Sequence, residues 1–195
     1  MESLIVELRS IIEPLDLGSL FPKPQPLEVE LGCGDASFLV ELAQRHAEIN
    51  FIGVERLLGR ITKLDRKGRR AGLQNIRGVR IESSYFLQYL LPPQSASAIH
   101  IYFPDPWPKT RHQKNRLIND RFPALARAAL ARGGAVFLRT DDGPYFSQMK
   151  DVFAAATGFE KTETPADLTG ILTDFERDFH ARGVKTLSAA YSLVP

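Results

Sequence analysis

A single cysteine, Cys33, stands in 195 residues, so no intrachain disulfide can form and a reducing compartment is expected. No apolar run approaches the roughly 20 residues that cross a bilayer. The first fifteen residues mix charges into their apolar positions and hold no signal-peptide core. A cytoplasmic protein with no membrane attachment is therefore expected. Four histidines and one cysteine fall at no metal-ligand spacing; no metal is expected, and His46, His100 and His180 read as structural. Repeats, low-complexity tracts and linkers are also missing. One domain over 1–195 is expected, opening with an N-terminal helix and a proline-rich lead-in over 1–25. A chain of this length buries roughly 70% of its unfolded surface, enough for a full core.

What the chain does have is unevenly placed charge. Net charge is only +2. Yet residues 56–80 hold nine Lys and Arg against one acid, Asp65, and residues 109–121 hold five against Asp120. These two segments sum to +12 and the remainder to −10. Segregation of that size suggests a face for a polyanion.

Hydrophobic periodicity alternates between the two periods. Residues 2–13 place Leu4, Leu8 and Ile11 on a helical stripe. Strands are expected at 27–31, 51–54, 79–81, 98–103, 135–139, 159–162 and 184–193. Helices are expected at 36–47, 56–72, 86–91, 119–131, 144–156 and 173–181, the fourth ending at Gly133-Gly134. Five strand–helix units followed by a strand pair predict an α/β fold with a mostly parallel, doubly wound sheet.

Two stretches carry chemistry. The first, Glu28-Val29-Glu30-Leu31-Gly32-Cys33-Gly34, is a strand running into G-x-G ahead of a helix, where glycines let a ligand approach the backbone. Glu55 ends the second strand, placed to accept both hydroxyls of a ribose. A dinucleotide fold wants a third glycine so that a pyrophosphate can approach, and position 37 is Ser. Adenosine without a phosphate fits better, which points to S-adenosyl-L-methionine, with Glu30 taking the ammonium of its tail. Cys33 reads as a small packing residue at this turn. The second stretch, Tyr102 to Arg116, follows an apolar strand and sets Asp105 between two prolines, then Trp107, then cations. Pro104, Pro106 and Pro108 forbid a helix and hold the loop extended. One acid, one large aromatic and a cationic cluster suit a flat hydrogen-bonding group attached to phosphates.

Together with Thr140-Asp141 and Thr173-Asp174-Phe175-Glu176, these stretches stand in the order and spacing of a known family. The chain resembles the bacterial tRNA (guanine-N7)-methyltransferases over about residues 27–193. The resemblance implies a Rossmann-like methyltransferase fold of seven strands, the last antiparallel, with helices on both faces. It implies S-adenosyl-L-methionine as methyl donor, S-adenosyl-L-homocysteine as product and a variable-loop guanosine of tRNA as substrate. Glu30, Gly32, Gly34, Glu55, Glu82 and Asp105 would contact the cofactor or lie beside it. Lys109, Arg111, His112, Asp141, Thr173, Asp174, Phe175 and Glu176 would contact the RNA. Where the family usually has an acid–small pair facing the adenine, this chain reads Glu82-Ser83-Ser84. Little precedes residue 20 to act as an RNA-binding arm. A monomer or homodimer without an obligate protein partner is expected.

Guanine N7 already carries an in-plane lone pair, so methyl transfer needs orientation and electrostatics rather than a strong base. Ionised Asp105 is acceptor-only and matches the N1–H and N2–H donors of the opposite base edge. The base must leave its stack to be reached. His112 reads as a phosphate or positioning contact, and Trp107 either stacks on a base or braces the loop. Two alternatives stand beside this reading. The loop also resembles the Asp/Asn-Pro-Pro-aromatic loop of enzymes that methylate exocyclic amines, although Trp107 replaces its second proline. A Rossmann-like RNA-binding module without catalysis would lack the intact glycine turn.

Overall fold

A computed structural model describes residues 2–194. Among these, seven strands form one sheet: β1 (Leu27–Leu31), β2 (Asn50–Val54), β3 (Ile76–Val79), β4 (Ala96–Tyr102), β5 (Leu130–Thr140), β6 (Phe159–Thr162) and β7 (Leu187–Leu193). Their order is β3-β2-β1-β4-β5-β7-β6. The first five are parallel, and β7 runs antiparallel between β5 and β6. The helices are α1 (Leu17–Leu20), α2 (Ser37–Arg45), α3 (Leu58–Arg70), α4 (Ser83–Tyr85, continued by a π turn over Phe86–Leu90), α5 (Phe122–Ala129), α6 (Gly143–Ala155), α7 (Ala166–Thr169) and α8 (Asp174–Ala181).

Alternation along the strands sorts the side chains into two cores. Val29, Leu31, Ile99, Ile101, Val136 and Leu138 pack with the π turn, α5 and α6. Phe51, Ala98, Tyr102, Phe137 and Ala190 pack with Phe38, Leu39 and Leu42 of α2 and Ile61 and Leu64 of α3. Both faces of the central strands are thus covered, as parallel sheets require. The direction in which strands are added to the sheet reverses between β1 and β4, and the crevice beyond their carboxyl ends is where open α/β sheets bind ligands.

Four expectations are corrected. Residues 2–13 form no helix. Ile5 instead bridges in parallel to Gly78, with Val6 N–H donating to the Gly78 carbonyl at 2.8 Å and Gly78 N–H to that of Leu4 at 2.9 Å. The open edge of β3 satisfies this backbone better than an isolated turn, and Ile11 of the expected stripe is left 57% exposed. The third strand lies at 76–79, not 79–81, because Gly78 belongs to it. A Cβ there would come within 3.0 Å of Ile61 Cδ1, so the glycine admits α3 and does not break the strand. The fifth strand begins at Leu130, and Gly133-Gly134 lies inside it at a register shift against β4, not at a helix end. A Cβ on Gly134 would strike the Ala131 and Ser97 carbonyls at 3.0 Å. Finally, the loop after β4 is not extended throughout, because Phe103 and Trp107 take left-handed φ of +52° and +43°. Past the last proline, Thr110–Asn115 turns into a 3₁₀ helix. No described helix is long and apolar enough to cross a membrane.

Candidate functional site

The carboxyl ends of β1 to β4 each deliver one expected residue to the same place. Gly32, Glu55, Glu82 and Asp105 line a cavity of about 430 Å³, together with Tyr102, Phe103 and Trp107. Gly32 adopts a left-handed φ of +76°, and a Cβ there would meet nothing within 4 Å. A side chain would therefore project into open space that a ligand can occupy. The Gly32 and Cys33 amides both donate to the Val54 carbonyl, at 2.8 and 2.9 Å, which ties the turn to the end of β2. Gly34 is buried in the turn with φ +55°. Cys33 is buried, and burial, reinforced by Glu30, pushes its thiol up. It packs where a Cβ on Gly53 would come within 2.9 Å of its sulfur.

Glu30 is 3% exposed, and its Oε2 has no hydrogen-bond partner. Burial raises its pKa well above the ordinary carboxyl value; Arg139 opposes the shift, while Asp35 and Glu55 add to it. An orphaned buried carboxyl oxygen beside a glycine turn fits a cationic group supplied by a ligand. Buried Glu55 accepts the Leu57 N–H at 2.8 Å through Oε1, while its Oε2 lies 3.9 Å from Arg60. Glu82 lines the cavity but also caps α4, accepting from the Ser84 and Tyr85 amides at 2.9 and 2.8 Å.

The loop after β4 is strained at both ends. Phe103 and Trp107 have φ of +52° and +43°, a conformation costing non-glycine residues about 1–2 kcal/mol each. Contacts on both sides hold it. Phe103 packs against Phe179 and Phe175 of α8, with ring centroids 5.7 and 6.4 Å apart. Trp107 meets His112 edge-on at 5.9 Å. Asp105, Lys109, Arg111 and Asp141 are exposed, and His112 is half-buried.

The Thr173–Glu176 run divides. Thr173 caps α8 by accepting the Glu176 N–H at 3.1 Å, and Glu176 returns the bond by accepting the Thr173 N–H at 2.9 Å. Glu176 is buried against Arg139 at 3.0 Å, so its carboxylate faces inward. Asp174 and Phe175 face solvent. Ion pairs tie the glycine turn to α3 and α8 to α2. Lys67 of α3 reaches Asp35 at 2.6 Å, and Arg177 of α8 lies between Asp174 at 2.6 Å and Glu41 of α2 at 3.4 Å. Burial works to raise Asp35, but the bonds from Lys67 and Ser37 outweigh it and hold the carboxyl well below its ordinary range.

Sequence reasoning missed three cations. Arg139 reads as strand filler, yet its guanidinium lies over Tyr102 and Phe38 at 4.4 and 5.4 Å. Lys67 and Arg116 read as parts of the polyanion face. Lys67 is engaged by Asp35, and Arg116 is buried. Nothing in composition separates a cation turned inward from one turned outward. His100 fits its structural reading: buried, it sits 2.9 Å from the Tyr102 hydroxyl and 2.8 Å from Glu28. His46 and His180 make surface contacts, to Asp167 and Thr186. Among the described residues no group of three or more His, Cys, Asp or Glu side chains is gathered to hold a metal ion.

Known proteins resemble this chain in sequence and in fold. The Methyltransf_4 methyltransferase family model matches residues 24–189. A tRNA (guanine-N(7)-)-methyltransferase of Aeromonas hydrophila is 35% identical over 88% of this chain and 74% of its own length. One of Syntrophotalea carbinolica is 33% identical over 89% and 77%. For one of Thermotoga maritima, 33% identical over 89% of this chain, the chain spans 56% of the relative's length. Among solved structures, the 16S rRNA methyltransferase KamB superposes with a TM-score of 0.66 at 14% identity, over 94% of this chain and 95% of that one. The aminoglycoside resistance methyltransferase NpmB1 gives 0.61 at 16%, over 92% of each. These two likenesses concern the fold.

Proposed function

Because the chain belongs to the tRNA (guanine-N(7)-)-methyltransferase family, we propose that it methylates N7 of a guanosine in the variable loop of tRNA. The observation that carries this reading is the convergence of Gly32, Glu55, Glu82 and Asp105 on one cavity whose rim also bears Arg56 and Arg60. S-adenosyl-L-methionine supplies an electrophilic methyl group on a sulfonium. Glu30 holds the ammonium of its tail, the Gly32 turn admits the tail, and Glu55 accepts ribose hydroxyls through the oxygen not engaged by Leu57.

Asp105 orients the base by accepting its N1–H and N2–H, and the negative charge stabilises the positive charge that develops on the ring. No proton leaves N7, so no residue acts as a strong base. The exposed side chains Arg60, Lys63 and Arg66 of α3, with Lys109 and Arg111 beyond Asp105, receive the RNA phosphates. Phe175, 51% exposed beside Phe103, offers a face to an unstacked base.

The test is incubation with bulk tRNA and labelled cofactor, followed by reduction and aniline treatment. Cleavage at one variable-loop guanosine is expected. Label incorporated without aniline-sensitive sites points to an exocyclic amine as acceptor and rejects the N7 reading.

A further inference from the structure

Arg116 is 4% exposed, and no acidic side chain pairs with it among the described residues. Its Nε donates to the Pro106 carbonyl at 2.7 Å and its Nη1 to Gln148 Oε1 at 2.6 Å. The guanidinium carbon lies 4.7 Å from the centroid of the Tyr145 ring. Tyr145 is anchored in turn, its hydroxyl accepting the Ile118 N–H at 2.9 Å. Gln148 completes the frame by donating to the Ile118 carbonyl at 2.9 Å. A cation buried without an ionic partner adds little to stability, so its position calls for another explanation.

We propose that Arg116 is the positioning residue of the Asp105 loop, fixing it against α6 through the Pro106 carbonyl. Pro106 has a ring-locked φ and directly follows Asp105. Pinning its carbonyl therefore fixes the Asp105 backbone between the two left-handed residues, Phe103 and Trp107. Only a planar guanidinium presents one N–H to the loop and another to the helix while stacking on an aromatic face. The proximity of the groups is electrostatic as well. Tyr145 is pushed up to about 12, first by burial, with the Asp105 charge adding and the Arg116 charge opposing. The inference rests on the reading of Asp105 as the residue that orients the base.

Trp107 is the only tryptophan and is adjacent to Pro106, so its fluorescence reports on the loop alone. In Arg116→Met, Trp107 emission is expected to move to the red, with the melting midpoint nearly unchanged. kcat for tRNA methylation should fall by roughly 10- to 100-fold, as for a reacting group misplaced by about 1 Å, with KM for the cofactor nearly unchanged. Arg116→Lys keeps the charge but not the fork and should recover only part of kcat. If Arg116→Met does not fold, Gln148→Leu, which leaves the Pro106 contact, is expected to show the same two changes at smaller amplitude. A folded variant with wild-type emission and wild-type kcat overturns the proposal, as does a lowered midpoint with unchanged kcat. Should the wild type methylate no tRNA, the functional reading fails, and the emission shift by itself decides the clamp.

Discussion

The Arg139 guanidinium lies 3.0 Å from the Glu176 carboxylate, with both side chains buried. The same guanidinium donates to the Ile171 carbonyl at 2.8 Å and to that of Leu168. One cation at the end of β5 thus gathers the chain from α7 into α8. Thr173 and Glu176 support the first turn of α8, and the exposed Asp174 and Phe175 are what that turn presents.

Removing one partner of this pair strands the other as a buried charge. Glu176→Ala should lose about 3–5 kcal/mol of stability, and Thr173→Ala about 1 kcal/mol through the lost cap. Urea unfolding of both variants measures this. Equal losses would show that the ion pair adds nothing beyond the cap.

Glu30 carries a pH dependence whose sign follows from its raised pKa, caused chiefly by burial. The native state keeps a proton that the unfolded chain releases near pH 4.3. The stability due to the neutral carboxyl is full below that pH and is lost as pH rises through the folded value. Glu30→Gln should flatten this dependence. Ammonium binding needs the carboxylate, so affinity for S-adenosyl-L-methionine should rise with pH and release a proton. Calorimetry in buffers of different ionisation heat should detect that proton in the wild type and none in Glu30→Gln. Equal proton release in both would remove Glu30 from the cofactor site.

Asp105→Asn replaces one acceptor with a donor and removes the charge at nearly constant size. By comparison with the loss of one preorganised electrostatic contact, the rate should fall on the order of 10²–10³-fold, nearly as far as in Asp105→Ala. Single-turnover rates on all three proteins provide the check. Near-wild-type methylation by Asp105→Asn would defeat the assignment.

If about five phosphates are neutralised, log K for tRNA should fall against log salt with a slope of roughly −3.5 to −4.5. Lys63→Glu with Arg66→Glu should weaken tRNA binding and leave cofactor binding intact, since both side chains are exposed. Lys67 is the wrong choice for this test: reversing it breaks the contact with Asp35 at 2.6 Å. Filter binding across salt concentrations measures the slope, and a salt-independent affinity would show that α3 has only a solvated basic face.

Where the candidate site sits was legible because local chemistry dictates it. Glycines with left-handed φ follow β1, an acid follows β2, and three prolines stiffen the turn after β4. Each of these is a backbone requirement that a residue type meets regardless of its neighbours. The parallel order of the first five strands followed from hydrophobic period and short connections in the same way.

Tertiary structure decided what local pattern cannot. The stripe at Leu4, Leu8 and Ile11 matches a helix, but the open edge of β3 offered Leu4 and Val6 hydrogen bonds that a solvent-exposed turn does not. Gly78 fell outside the expected third strand and Gly134 at an expected helix end, yet both lie inside strands because a neighbouring side chain or carbonyl fills the space a Cβ would need. Above all, fourteen cations in two runs look equivalent in sequence. Packing turned Arg116 onto a loop carbonyl and Lys67 onto a carboxylate, while Lys63 and Arg66 remained exposed. The sequence by itself determined the fold class and the family, and it placed the glycines, acids and prolines of the candidate site at the ends of the strands. Which charges meet solvent and which hold the site together depended on contacts between residues distant in the chain, because a side chain's partner is set by three-dimensional packing and not by its type.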